Sequence, residues 1–254
     1  MIVILPPSET KRDGGVENSR LDLEGLAFPA LLAQRHATIS SLRALSRSVS
    51  GSTAALGLGP TQRAEIDRNR AVVTSPVMPV MDRFTGVLYE ALDAPALDAP
   101  ARAWLASHVV VHSALFGVIS AADAIPAYRL SHDSRLPGLP LKKHWRTAVQ
   151  AELAATTGLI VDLRSEGYVA LGPAPSRVDS VYVRVVTSGA DGVKRALNHF
   201  NKKGKGEFVR ALAEAGIDHP TLSALLDWAA GRGIALELTD AVTPDGRRVV
   251  DLLV

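Results

Sequence analysis

Val109-Val110-Val111-His112-Ser113-Ala114-Leu115-Phe116-Gly117 is a β-branched run that stops at a small, polar turn. β-Branched side chains crowd a helix and suit a pleated surface, so the stretch predicts a buried strand ending near Ser113. Three similar runs lie outward from it. Residues 2–5 are Ile-Val-Ile-Leu, stopped by Pro6-Pro7; residues 159–163 are Leu-Ile-Val-Asp-Leu; residues 181–186 are strongly β-forming. Helical spacing separates them, through Phe28, Leu31, Leu32, Ile39, Leu42 and Leu45, and again through Trp145, Val149 and Leu153. Two more helices are predicted, from about Glu207 to Ala215 and over residues 221–230, with Thr221 as N-cap of the second. Residues 234–239 and 248–253 predict a terminal hairpin turning at Thr243-Pro244-Asp245-Gly246. The alternation predicts an α+β (mixed α/β) fold with a central mixed sheet covered by helices. Residues 94–100 read as a Pro/Asp/Ala linker. No break separates domains, so residues 1–254 read as one domain with a helical lobe at about 28–100.

Composition narrows the chemistry. With 47% hydrophobic and 21% charged residues in 254, the chain can bury a sizeable core. Its net charge of +2 demands no polyanionic partner, so any such partner must be argued from local patches. There is no cysteine, which excludes disulfides, thiolate metal centres and thiol peroxidase chemistry. Seven histidines are scattered without ligand spacing, and no metal or cofactor is expected. Neither a secretory leader nor an apolar run of about 18 residues is present, so a cytoplasmic, monomeric protein with no membrane contact is expected.

Two stretches suggest anion contact. The first is Asn198-His199-Phe200-Asn201-Lys202-Lys203-Gly204-Lys205-Gly206-Glu207. Three lysines among two glycines, just before a helix start at Glu207, suit a phosphate site; a solvated surface loop is the plainer reading. The second is Gly57-Leu58-Gly59-Pro60-Thr61-Gln62-Arg63, between two helical runs. It matches the turn of helix-hairpin-helix elements, in which glycines let a phosphate approach the backbone. It equally matches an ordinary helix–helix turn, with Gly57 as cap and Pro60 opening the next helix.

Three loops follow predicted strands: residues 6–13, 113–129 and 164–168. Loops beyond strand carboxyl ends converge on ligand crevices in sheet folds. Together they offer Ser8, Glu9, Lys11, Tyr128, Arg129, Ser165, Glu166 and Tyr168, to which Asn198 and Asn201 are added, with Lys202, Lys203 and Lys205 as one wall if that stretch folds near. A capping Ser8, half-buried tyrosines and an Arg129–Glu166 ion pair are the structural alternatives. His112, beside a strand, reads as a core residue. No P-loop, GxGxxG or nucleophile elbow is present, and no catalytic residue is assigned.

The segment Ser113-Ala-Leu-Phe-Gly-Val-Ile-Ser-Ala-Ala-Asp-Ala-Ile-Pro-Ala-Tyr-Arg-Leu130 resembles the YaaA family of bacterial peroxide-stress proteins, as do residues 4–11, 83–89, 163–168 and 198–212. The resemblance covers nearly the whole chain. It implies one compact fold with a helix-hairpin-helix element beside a positively charged cleft. It also implies binding of double-stranded DNA and a role in limiting iron-driven oxidative damage. On it, Gly57, Leu58, Gly59, Thr61, Arg63, Lys202, Lys203 and Lys205 are the expected DNA contacts, and an enzyme acting on a nucleotide-like or other small anionic ligand is the alternative. Two departures stand out. The first loop reads Pro6-Pro7-Ser8-Glu9-Thr10-Lys11 where a better-known branch has Ser-Pro-Ala-Lys-Thr, which displaces the lysine. Arg164 replaces an alanine of that branch.

Overall fold

The four apolar runs all become strands of one sheet. A computed structural model describes the backbone of residues 1–188, 194–195 and 198–254, and side chains outside residues 188–200. The strands are β1 (Ile2–Leu5), β2 (Met78–Pro79), β3 (Val109–Ser113), β4 (Gly117–Ser120), β5 (Ala124–Ile125), β6 (Ile160–Asp162), β7 (Ser180–Ser188), β8 (Lys194–Arg195), β9 (Leu236–Val242) and β10 (Arg248–Leu253). The main sheet runs β4-β3-β1-β6-β7-β10-β9, with β8 pairing the end of β7 and a small separate sheet of β2 and β5. β1, β3, β6, β7 and β10 are parallel; β4 and β9 are antiparallel edges. The central strands are covered on both faces, which is why they read as continuous apolar runs rather than alternating ones. Val3, Val111, Ile160 and Val161 are fully buried.

The helices are α1 (Leu32–Leu45), α2 (Val49–Leu56), α3 (Ala64–Arg70), α4 (Val80–Arg83), α5 (Val87–Leu92), α6 (Ala99–His108), α7 (Leu141–Ala155), α8 (Glu166–Val169), α9 (Asn198–Ala215) and α10 (Leu222–Gly231). α7 presents Leu141, Trp145, Val149 and Leu153 to the core at the spacing read in the sequence. The expected linker at 94–100 is instead a short 3-10 turn leading into α6, whose first turn is capped by the Asp98 carboxylate accepting from the Ala101 N–H. The prolines that suggested a break occupy first-turn positions, where proline costs a helix nothing.

The helix expected from Glu207 begins at Asn198. Gly204 and Gly206 lie inside it, not in a loop before it. Their propensity cost, about 1 kcal/mol each, is overridden by packing. A Cβ on Gly206 would lie 2.2 Å from the Leu88 carbonyl oxygen, and one on Gly204 2.5 Å from Val254 Cγ1. Glycine brings α9 close to α5 here, so the chain conformation is helical and fixed.

The strand order places the site. From β1 the chain crosses to β3 on one side, then to β6 on the other. β1 therefore stands at the point where the winding reverses, and the crevice beyond its carboxyl end is the expected ligand position.

Candidate functional site

The loop leaving β1 is fastened from below. Tyr89 of α5 donates its hydroxyl hydrogen to the Pro6 carbonyl at 2.8 Å. Ser8 and Thr10 hydroxyls lie 3.2 Å apart, and Glu9 and Thr10 are exposed. Lys11 turns inward and is 7% exposed. Its Nζ donates to the Ser8 and Glu9 carbonyls at 2.9 and 3.1 Å. The same nitrogen lies 4.2 Å from the Tyr128 ring centroid and 5.2 Å from that of Phe84. Burial drives this ammonium down to about 7, against the pull of Glu65 and Glu9 and with the push of Arg129 and Arg68.

This shift sets a pH dependence with a definite sign. The unfolded lysine stays protonated up to 10.5, while the folded one releases its proton near 7. Between those values the unfolded state binds more protons, so stability rises with pH. Lys11→Met removes its share of that rise. The urea midpoint is expected to rise from pH 7 to pH 9.5 in the parent protein and to rise less in the variant, where Lys205, lowered to about 8, supplies what remains. Equal pH dependence in both chains would show that Lys11 is not the source.

Tyr128 and Arg129 form the next wall. The Tyr128 and Ser113 hydroxyls lie 2.6 Å apart, and Ser113 Oγ also accepts from the Leu115 and Phe116 N–H groups. Ser113 thus closes the turn after β3 while anchoring the tyrosine. Burial raises the Tyr128 hydroxyl well above the ordinary tyrosine range, so it stays a neutral donor. Arg129 donates to Glu9 Oε2 at 2.7 Å; the expected Arg129–Glu166 pair does not form, because Glu166 faces solvent in α8. Arg129 Nε is buried without a partner. The Arg129 backbone is clamped at both ends by Asn69: its N–H donates to Asn69 Oδ1 at 2.8 Å, and Asn69 Nδ2 donates to its carbonyl at 2.9 Å.

Beyond β6 lies a buried charged network. Asp162 is fully buried and accepts from Arg164 Nε and Nη2 at 2.8 and 2.6 Å and from Arg247 Nη1 at 2.7 Å. Burial alone would raise this carboxyl; the two guanidiniums overcome it and hold the group well below the ordinary carboxylate range. Arg164 Nη1 donates to His112 Nδ1 at 2.7 Å, and burial with the neighbouring Arg164 keeps His112 neutral. His112 is therefore a satisfied core residue on its Nδ1 side, as its place beside the strand suggested, while its Nε2 lacks a partner. Tyr168 stands between this network and the Lys11 wall, with ring centroids 6.1 Å from His112 and 5.0 Å from His132. Ser165 and Glu166 are exposed at the start of α8.

The three lysines of α9 divide. Lys202 and Lys203 are exposed, and Lys203 pairs with Glu207 one turn on at 2.8 Å. Lys205 is 5% exposed, and burial lowers its ammonium to about 8 despite the opposing pull of Asp162. Asn201 is half-buried; the Asn198 side chain lies outside the described residues. The 440 Å³ groove on α9 is lined by Lys203, Phe208, Ile234, Leu252 and Val254 and contains none of the other expected site residues.

The Gly57-Leu58-Gly59 turn does join two helices, α2 and α3. Gly57 caps α2 at φ +62°, the left-handed conformation that favours glycine. Leu58 is buried in the core. The backbone N–H groups of residues 57, 58 and 59 already donate within the turn, to the Thr53 carbonyl twice and to Gln62 Oε1. Thr61 and Arg63 are exposed, whereas Arg68 pairs with Glu65 and Asp13, and Arg70 with Asp67. α3 is also a wall of the cleft. Asn69 clamps Arg129 from it, and its Glu65 and Arg68 act on the Lys11 charge.

Asn69, Asp162 and Arg247 escaped the sequence reading. Asp162 carried a signal, since it is the charged member of the apolar run 159–163. Asn69 and Arg247 carried none, because only the tertiary fold brings them to the site. No group of three metal-ligating side chains occurs among the described residues.

Comparison with known proteins agrees with the sequence resemblance. Residues 1–231 match the family described as peroxide stress protein YaaA. A UPF0246 protein of Corynebacterium glutamicum (strain R) is 40% identical over 242 residues, covering 93% of this chain and 95% of that one. A UPF0246 protein of Streptomyces coelicolor is 37% identical over 222 residues, covering 85% and 84%. One from Roseobacter denitrificans is 27% identical over 239 residues, covering 87% and 88%. With a family match over residues 1–231 and relatives up to 40% identical over most of its length, the chain belongs to the YaaA family of peroxide stress proteins.

Proposed function

We propose that this peroxide stress protein works by binding double-stranded DNA across the α2–α3 turn and the exposed lysines of α9, with the adjoining cleft facing the bound nucleic acid, and that it limits iron-driven oxidative damage there. The observation that carries the reading is the two-sided Asn69–Arg129 clamp, which makes the helix after the glycine turn a wall of the cleft. Contact with DNA at the turn is therefore contact beside the cleft. The exposed Arg63, Lys202 and Lys203 supply phosphate attraction. Nothing in α3 resembles a base-reading helix, so binding is largely independent of sequence and strongly dependent on salt.

The test is the slope of log K against log salt, by fluorescence anisotropy with a duplex of arbitrary sequence. Each lost phosphate contact lowers the slope by about 0.9, so Arg63→Ala/Lys202→Ala/Lys203→Ala is expected to flatten it by about 2 to 3. An unchanged slope would sink the DNA assignment. A second reading, turnover of a free nucleotide-like anion, is favoured by the buried amines of Lys11 and Lys205, which a duplex backbone does not reach. Thermal stabilisation by one nucleotide class, with no duplex affinity, would select it.

A further inference from the structure

Lys205 is set apart from the other basic residues of α9. It is 5% exposed, whereas Lys202 and Lys203 are exposed. Asp162 is the acid that acts on it, but both Asp162 oxygens are occupied by Arg164 and Arg247. Arg164, Arg247 and Lys205 thus bring three buried cations to one buried carboxylate; Asp245, 28% exposed, supplies a second negative charge through Arg247 Nε. A buried donor left without an acceptor is costly, and Arg247 Nη2 is such a donor on the Lys205 side.

α9 cannot draw back to release this lysine into solvent. Gly204 and Gly206, on either side of it, press against Val254 and the α5 backbone. The anion must come to the lysine. An internal phosphodiester carries one charge and is flanked by sugars on both sides, which keeps it on the surface. A terminal phosphate monoester carries nearly two charges at neutral pH and has a free end that can enter.

We propose that Lys205 is the receptor for a terminal phosphate monoester inserted into the cleft. Resting on the DNA reading above, the ligand is the phosphorylated end of a broken strand; a free nucleoside monophosphate presents the same group, and the experiment separates the two. Anisotropy is measured on nicked duplexes that differ only in a phosphate or a hydroxyl at the nick, and adenosine monophosphate is titrated separately. Parent protein and Lys205→Met are compared, with a thermal melt to confirm folding. The phosphorylated nick is expected to bind at least about 10-fold tighter, which is about 1.4 kcal/mol, and the ratio to fall to about one in Lys205→Met. Lys205-dependent binding of adenosine monophosphate, with both duplexes bound equally, would uphold the phosphate site and assign it to free mononucleotides. The Lys205 side-chain nitrogen resonance, followed by NMR while inorganic phosphate is added to the parent protein, decides the matter should the variant not fold. No Lys205-dependent preference in either arm, or in that case a resonance that does not move, overturns the proposal. Retained binding of intact duplex in that event would leave the DNA reading standing, and loss of all duplex binding would remove that reading alone.

Discussion

Asp162→Asn is expected to destabilise the protein by about 3–5 kcal/mol, the cost of leaving buried charges without their partner. Both guanidiniums that Asp162 serves, Arg164 and Arg247, are fully buried, and the remaining acid, Asp245, reaches only Arg247. The amide is nearly isosteric, so the loss reports charge and not a cavity. The variant should also lose part of the acid sensitivity of the parent. Because the folded Asp162 carboxyl is held below its unfolded value of about 3.9, its contribution is complete above that pH and is lost as pH falls toward the folded value. Urea denaturation from pH 7 down to pH 3 is the measurement. The parent is expected to weaken below about pH 4 and the variant to start lower and fall less. A change under about 1 kcal/mol at pH 7 would mean that the two arginines find other partners.

How much of this could be read from the sequence depends on the range of the interaction. The strands were legible because burial on both faces writes itself as a run of β-branched residues, and β1, β3, β6 and β7 all formed where such runs occur. The meeting of the loop after β1 with Tyr128 and Arg129 follows from strand ends announcing their loops, but the expected loop 113–129 is in large part strand: residues 117–120 form β4 and return the chain to the start of β3. The α9 boundary was not. Lys-Lys-Gly-Lys-Gly has the local preferences of a loop, and only Leu88, Ala91 and Val254, distant in the chain, explain why it is helix. The lysines were seen as one basic wall because composition cannot say which way a side chain points; the fold sends Lys205 in and Lys202 and Lys203 out. Arg129 was paired with Glu166 on proximity of loops, yet Glu9 is its partner. Asn69 had no local signal at all, and it turns two adjacent features into one site.

Gly206→Ala tests that packing directly and is expected to cost about 2–3 kcal/mol. In an exposed helix the same change would gain about 1 kcal/mol, because alanine is the better helix former. Here the new methyl would lie 2.2 Å from the Leu88 carbonyl oxygen, 2.8 Å from Ala91 Cβ and 3.0 Å from the Leu92 nitrogen. Two of those three atoms are backbone, so no rotamer change relieves the contact; α5 and α9 must separate, at the cost of overpacking a core. Separation would carry Tyr89, on α5, away from the Pro6 carbonyl it holds at 2.8 Å, and so loosen the loop that bears Lys11. Gly231→Ala is the matched control, since a Cβ there meets nothing within 4 Å. It is expected to leave the urea midpoint unchanged or raise it by the equivalent of up to about 1 kcal/mol. If both variants behave alike, the glycines of α9 serve no packing role, and the inward setting of Lys205 loses its mechanical basis. If only Gly206→Ala falls, the Gly-Lys-Gly sequence is the device that holds a helix against its neighbour while turning one lysine into the cleft.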